Sequence, residues 1–409
     1  MNKNRASLNI LLLNISLFYA FFLIGANYVI AGPVLIELSA RAGVATGLMG
    51  YFFSSISIGA ISGAFITTFL GRFNIRNKLF PLIYLLMPAS NLLMAYSKNF
   101  ISLLISAILT GLSIGLIEAN GTVLVAESGR AMKSRLILIL QAFFSFGAFA
   151  GPMLISLFTK YGIALSMSFT VMAILGFINF ILLMFIKIPH NIPKTDSYTG
   201  SKQKAGWKNK KAVILIAAIF SALFFYVAFE SGINSWIPTF LRLDRNFSVF
   251  IAGNAIAFFW LTMAAGRLLV GLISIKIKAT YLLLLLSTLA VISFKLAASF
   301  SSNIAIILCL ALTGIIIGGI WPLLLSATIY FFPDSSKTIL PLLITSGNIG
   351  GVISPWLIGL VFNKFSLNKG MELVFIFSII TVIMIILMIF MEKFYKSGRV
   401  LQSNKNDSP

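Results

Sequence analysis

Twelve stretches of this chain are apolar for long enough to cross a lipid bilayer. They lie at roughly 8–38, 45–70, 79–96, 99–126, 135–158, 163–186, 212–241, 247–273, 279–298, 303–330, 338–363 and 371–391. A backbone that leaves water must satisfy its own N–H and C=O groups, so each stretch is expected to form a helix of about 20 residues. Hydrophobic residues make up 59% of the 409, and charged ones 10%, against about 25% in soluble domains. Water could not solvate the surface of such a chain, and lipid is its natural solvent. The expected fold class is an all-α membrane protein with twelve transmembrane helices.

The longest gap, "KIPHNIPKTDSYTGSKQKAGWKNKK" at 187–211, is polar, Pro-containing and rich in Lys. It reads as a solvated linker dividing the spans six and six. The expected organisation is an N-terminal half at 1–186, a cytoplasmic linker at 187–211, a C-terminal half at 212–395 and a cytoplasmic tail at 396–409. With both termini inside, 23 of the 31 Lys and Arg fall on the cytoplasmic side. That bias favours this orientation in a plasma, or bacterial inner, membrane.

The halves also repeat at an offset of 203. Gly50 maps to Gly253, Gly63 to Gly266, Thr110-Gly111 to Thr313-Gly314, Gly115 to Gly318, Gly147 to Gly350 and Pro152 to Pro355. One offset held across several spans argues for two parallel repeats, with small residues where helices pack closely. Such a layout resembles the major facilitator superfamily, in which the first and fourth helices of each half line a central cavity. By that resemblance spans 1, 4, 7 and 10 are the cavity helices.

The net charge of +21 would suit nucleic acid, but the charges sit in short loops between apolar spans, which is membrane topology. Cys309 and His190 are the single cysteine and histidine. They supply no disulfide framework, metal cluster or plausible catalytic set. An enzyme is disfavoured, and no cofactor is expected. The first apolar run is too long for a signal-peptide core and is read as retained.

Of the ten acids, Glu118 and Glu230 alone lie deep inside spans. Glu230 is about 27 Å along its span at the α-helical rise. A charged side chain at membrane centre costs about 2.5–3.5 kcal/mol on insertion scales, and such residues usually face a cavity. The competing role is a protonated carboxyl bonded to a neighbouring helix. At the 203 offset Glu230 pairs with Asn27, and Glu118 with Trp321. Asn234 shares the face of Glu230, and Thr122 that of Glu118. Gln141 and Asn348 are further amides near the site, where plain helix–helix hydrogen bonding is an equal alternative. Mid-span, the cavity helices carry no Lys or Arg, which disfavours an anionic substrate.

"YVAFESGINSWIPTFL" (226–241) and "GLSIGLIEANGTVL" (111–124) resemble the fucose–galactose–glucose proton symporter family and the related sodium-dependent glucose transporter branch. The first matches the family's seventh-helix Tyr-Val, Glu and Trp-Ile at Tyr226, Val227, Glu230, Trp236 and Ile237. The second matches a Gly-rich fourth helix whose acid falls on Glu118. "GAFAGPML" and "GRLLVG" fit the wider group. Thr122 stands where that family often has Asn, Asn27 is the nearest polar residue where the proton symporters carry an acid in span 1, and "GRFNIRNK" in loop 2–3 lacks the superfamily's Asp.

The expected function is secondary transport of a small neutral polar solute, a sugar first among them, by alternating access coupled to a proton or to sodium. Glu230, Asn234, Asn27, Trp236, Trp321, Gln141 and Asn348 are the candidate substrate ligands. Glu118 and Thr122 are candidates for ion coupling. Arg267, toward the cytoplasmic end of span 8, is expected to gate by bonding helix C-terminal carbonyls or an acid. The alternative is a proton-coupled exporter of cationic or amphipathic compounds; a non-transporting sensor or scaffold ranks below it. The bilayer, the solute and the coupling ion are the expected partners, and the protein is expected to be a monomer.

Overall fold

The computed structural model describes residues 3–70, 81–128, 133–186, 210–274, 277–300, 302–333 and 335–406. Most of the 187–211 linker, the loop 2–3 motif, Arg130 and Lys276 lie outside them. The described residues are mostly helical, joined by short turns, with no strand among them. Eleven helices are long and apolar enough to cross a membrane, and a shorter apolar helix at Pro81–Tyr96 stands where span 3 is expected.

Span 1 runs Lys3–Val29 and continues through a 3-10 turn, Gly32–Val34, into the short helix Leu35–Arg41. Span 2 is Met49–Leu70, span 4 Phe100–Ser128, span 5 Lys133–Lys160 and span 6 Leu165–Met184. The second half begins with span 7, Lys210–Leu243, followed by span 8, Val249–Ile273, and span 9, Ala279–Ser299. Span 10 is broken into Asn303–Ile317 and Ile320–Phe331 at Gly318-Gly319. Spans 11 and 12 are Ser336–Lys364 and Leu367–Asn406. Exposed Phe65, Ile101, Leu138, Leu272, Ile304 and Leu308 are outward-facing apolar side chains of the kind a lipid-embedded bundle presents.

Glycine contacts repeat between the halves with little change. A Cβ on Gly111 would overlap the Ile56 carbonyl, and one on Gly115 the Ala60 carbonyl. In the second half, Gly314 sits on Phe259 and Gly318 on Met263, each partner 203 residues further on. Gly63 against Leu112 recurs as Gly266 against Ile315. Backbones this close need a residue without a side chain, and close approach is what holds helices together in lipid. The turns match as well. Gly43, with φ of 68°, and Asn246, with φ of 55°, are 203 apart. Gly and Asn are residue types that tolerate this left-handed region.

Spans 1 and 7 depart from that offset. Gly147 rests on the Phe22 carbonyl and near the Ala26 amide; its mate Gly350 rests on the Phe224 carbonyl and near the Ala228 amide. Those partners are 202 apart. The residue that matches Glu230 is therefore Tyr28 rather than Asn27.

Candidate functional site: a cavity between the halves

Contacts between the halves gather on the side opposite the two termini. Gly50 of span 2 packs on Pro355 of span 11, and its mate Gly253 of span 8 packs on Pro152 and Ser156 of span 5. Ser54 Oγ donates to the Val352 carbonyl at 2.6 Å, and Ser57 Oγ to the Gly351 carbonyl at 3.1 Å. Phe149 and Phe258 meet edge to face, 5.9 Å between centroids. Arg242 reaches across to Glu37 with two 2.7 Å bonds and donates to the Pro33 carbonyl at 2.9 Å. The far side is thus closed by matched backbone contacts and a charged clasp.

Deeper in, polar groups stand without protein partners. Glu118 is exposed although it lies about 27 Å into span 4. Thr122, Gln141 and Asn348 are half-buried, and their side chains make no hydrogen bond among the described residues. Polar groups at membrane depth that bond to nothing need water or a ligand, which makes these side chains the candidates to face the solute path.

Glu230 of span 7 is half-buried. The Tyr226 hydroxyl lies 3.2 Å from the Ile317 carbonyl and also neighbours the Glu230 carboxylate. Its single proton serves one acceptor at a time. Tyr28, from the other half, lies within electrostatic reach of both Glu230 and Glu118, and its hydroxyl neighbours Ser231. Arg267 also lies within electrostatic reach of both carboxylates. Among the described residues its one side-chain hydrogen bond is to the Met263 sulfur at 3.9 Å.

Beside the carboxylates is an aromatic group that the sequence reading did not single out. Tyr28, Phe144 and Trp260 meet with centroids 5.8 to 6.2 Å apart, two of the pairs edge to face. The Trp260 indole N–H donates to Asn234 Oδ1 at 2.9 Å. That bond fixes the amide so that its NH₂ remains to donate elsewhere. Gln141 lies three residues before Phe144, on the same face of span 5.

Other candidates lie apart. Trp236 is fully buried; its N–H donates to the Pro355 carbonyl at 3.1 Å and its ring meets Phe362 at 5.7 Å, within the closed contact between halves. Asn27 is buried, its amide turned back on the Leu23 carbonyl of its own helix at 2.8 Å. Trp321 is half-buried just beyond the break in span 10, packed over Gly347 beside Asn348. Among the described residues no cluster of acids, His and Cys could hold a metal ion.

Two pseudo-symmetric halves, closed on one side and carrying carboxylates at membrane depth, define a multi-pass membrane transporter. Residues 17–355 match the Major Facilitator Superfamily, and the chain belongs to it. Its relatives include a "Protein TsgA homolog" from Buchnera aphidicola subsp. Baizongia pistaciae, 20% identical over 87% of this chain and 89% of that protein. The "Glucose/mannose transporter GlcP" of Bacillus subtilis strain 168 is 26% identical over 66% of this chain and 67% of its own. Among solved structures, the nucleoside transporter NupG superposes with a TM-score of 0.74 at 16% identity, covering 94% of this chain and 99% of its own. A bacterial homologue of the human lysosomal transporter Spinster, described as inward-facing and occupied, gives 0.69 at 13% identity, with 98% of both chains covered.

Proposed function

We propose that this protein moves a small neutral polyhydroxylated solute, a sugar, across the cytoplasmic membrane by alternating access, coupled to a proton or to sodium. One observation carries the reading: Asn234, fixed by Trp260, lies one turn from Glu230 and beside an aromatic wall. A carboxylate and an amide N–H offer an acceptor and a donor to vicinal hydroxyls, and an aromatic face suits the apolar face of a pyranose. The glucose/mannose transporter among the relatives supports the same class of substrate.

Glu230 and Asn234 bind, with Tyr28, Gln141, Asn348 and Trp321 lining the path. Glu118, exposed and unbonded beside Thr122, is the group that takes and releases the coupling ion. With the termini in the cytoplasm, the closed side is the outer one and the cavity faces inward. Transport then needs the clasp on the closed side to open while the other side closes. Arg267 offsets one of the two negative charges, which makes a cationic cargo less favourable than a neutral one. Counterflow exchange in liposomes, run with hexoses, nucleosides and lipophilic cations, tests the assignment. Exchange of a hexose supports it; exchange confined to cations or nucleosides overturns it.

A further inference from the structure

A second cavity lies inside the C-terminal half, apart from the central one. It occupies roughly 230 Å³ between spans 7, 9, 10 and 12, near the side opposite the termini. Its depth is apolar, formed by Ile237, Phe294, Leu310 and Phe375. Ile237 is six residues from the end of span 7, so the cavity descends about 9 Å from the rim at the α-helical rise. Polar groups gather at the mouth: Arg245, Asn368 and Glu372.

The charges at the mouth are mostly committed. Glu372 pairs with Lys369 at 2.8 Å, and Arg245 with Asp244 at 3.2 Å. Arg245 also donates to the Ala298 carbonyl at 2.7 Å, and Asn368 donates to Asp244. Lys295 differs. It lines the cavity four residues before the end of span 9, is exposed, and makes no ion pair among the described residues. Its ammonium lies over the Phe375 ring, 5.1 Å from the centroid. An unpaired cation just inside the apolar zone, at the mouth of an apolar slot, has the charge and shape to take an amphipathic anion.

We propose that this cavity is a binding site for a phospholipid with an anionic headgroup, from the leaflet opposite the termini. Lys295 holds the headgroup phosphate and part of an acyl chain enters between Phe294 and Phe375. The site is separate from the solute cavity and does not depend on the substrate assigned there.

Native mass spectrometry of the purified protein, titrated with phosphatidylglycerol or with phosphatidylcholine, tests this. Wild type is expected to retain one phosphatidylglycerol in preference, by about fivefold for a single Lys near the surface. Lys295→Gln should erase that preference, Lys295→Arg should keep it, and Lys160→Ala, in the other half and away from this cavity, should leave it unchanged. Ala297→Phe fills the slot and should remove retention of both lipids, with the thermal midpoint confirming that the variant is folded. Equal retention of the two lipids by wild type, or unchanged preference in Lys295→Gln, overturns the proposal. If inorganic phosphate alone stabilises wild type but not Lys295→Gln, and lipid adds nothing, the site takes free phosphate and the lipid assignment is wrong. Should Ala297→Phe not fold, Leu310→Phe fills the same slot and carries the same expectation.

Discussion

Arg242 of span 7 and Glu37 at the end of span 1 form a two-pronged ion pair, 2.7 Å on both arms, that ties the two halves together on the side away from the termini. Both side chains are partly shielded, and the Pro33 carbonyl takes a third bond from the same guanidinium. A planar fork matched to a carboxylate is stronger and more directional than a Lys contact. The clasp therefore favours the arrangement in which this side is closed.

Removing it should shift the conformational balance. A charge-assisted hydrogen bond contributes about 1.5–3 kcal/mol, which corresponds to roughly a ten- to hundredfold change in the open-to-closed ratio. In Arg242→Ala, a cysteine introduced at Ser57, within the closed contact between the halves, is expected to react faster with a membrane-impermeant thiol reagent added from the closed side, compared with the same cysteine in an otherwise wild-type chain. Arg242→Lys should lie between, and the exchange Glu37→Arg with Arg242→Glu should restore part of the protection. Unchanged labelling in Arg242→Ala would show that the backbone contacts at Gly50 and Gly253 close this side without the clasp.

Trp260 is expected to act through Asn234. Trp260→Phe keeps an aromatic ring against Tyr28 but removes the 2.9 Å bond to Asn234 Oδ1. The amide then loses its fixed orientation, and solute affinity should fall by about tenfold, close to one neutral hydrogen bond. Equilibrium binding measures this directly. Trp236→Phe loses a bond to the Pro355 carbonyl instead; it should lower thermal stability and leave affinity near that of wild type. Equal effects of the two substitutions on affinity would contradict the placement.

Small residues at the repeat contacts should be intolerant in proportion to how close the facing backbone comes. Gly318→Ala places a methyl group against the Met263 carbonyl and the Arg267 amide, and overpacking of this kind costs about 1–3 kcal/mol. Gly115→Ala meets the Ala60 carbonyl in the same way and should cost a similar amount. Gly271→Ala meets nothing within 4 Å and should be stabilising by about 0.5–1 kcal/mol through better helix propensity. Thermal midpoints in detergent rank the three.

Much of this architecture was legible as length and spacing. Apolar runs gave the helices, and the Gly and Pro register of spans 2, 4 and 5 gave the repeat, because backbone contacts recur wherever side chains are absent. Spans 1 and 7 hold no glycine pair at that register, so their offset was carried over from the others; the contacts of Gly147 and Gly350 show it to be 202. That single residue moves the mate of Glu230 from Asn27 to Tyr28. Helical geometry alone separates Asn234 from Trp236: four residues beyond Glu230 returns to its face, and six does not. The same rule places Trp260 and Arg267, seven apart, on one face of span 8. What pattern could not give was the selection of Tyr28, Phe144 and Trp260 from a chain with 38 Phe and five Trp. That grouping depends on how spans from opposite halves meet.

The two carboxylates should separate binding from coupling. Glu230→Gln replaces an acceptor oxygen beside Asn234 with a donor and should weaken solute binding by roughly ten- to hundredfold. Glu118→Gln should leave binding and counterflow close to wild type, since the cavity keeps its polar wall. Normal binding in Glu230→Gln would show that its carboxylate is not a ligand.

Gradient-driven uptake of a radiolabelled hexose into liposomes, with proton and sodium gradients imposed separately, tests the central claim most directly. Wild type is expected to accumulate a hexose above its outside concentration under one of the two gradients, while Glu118→Gln equilibrates the sugar without accumulating it. Accumulation by Glu118→Gln equal to wild type, or no hexose movement by wild type under either gradient, would contradict it.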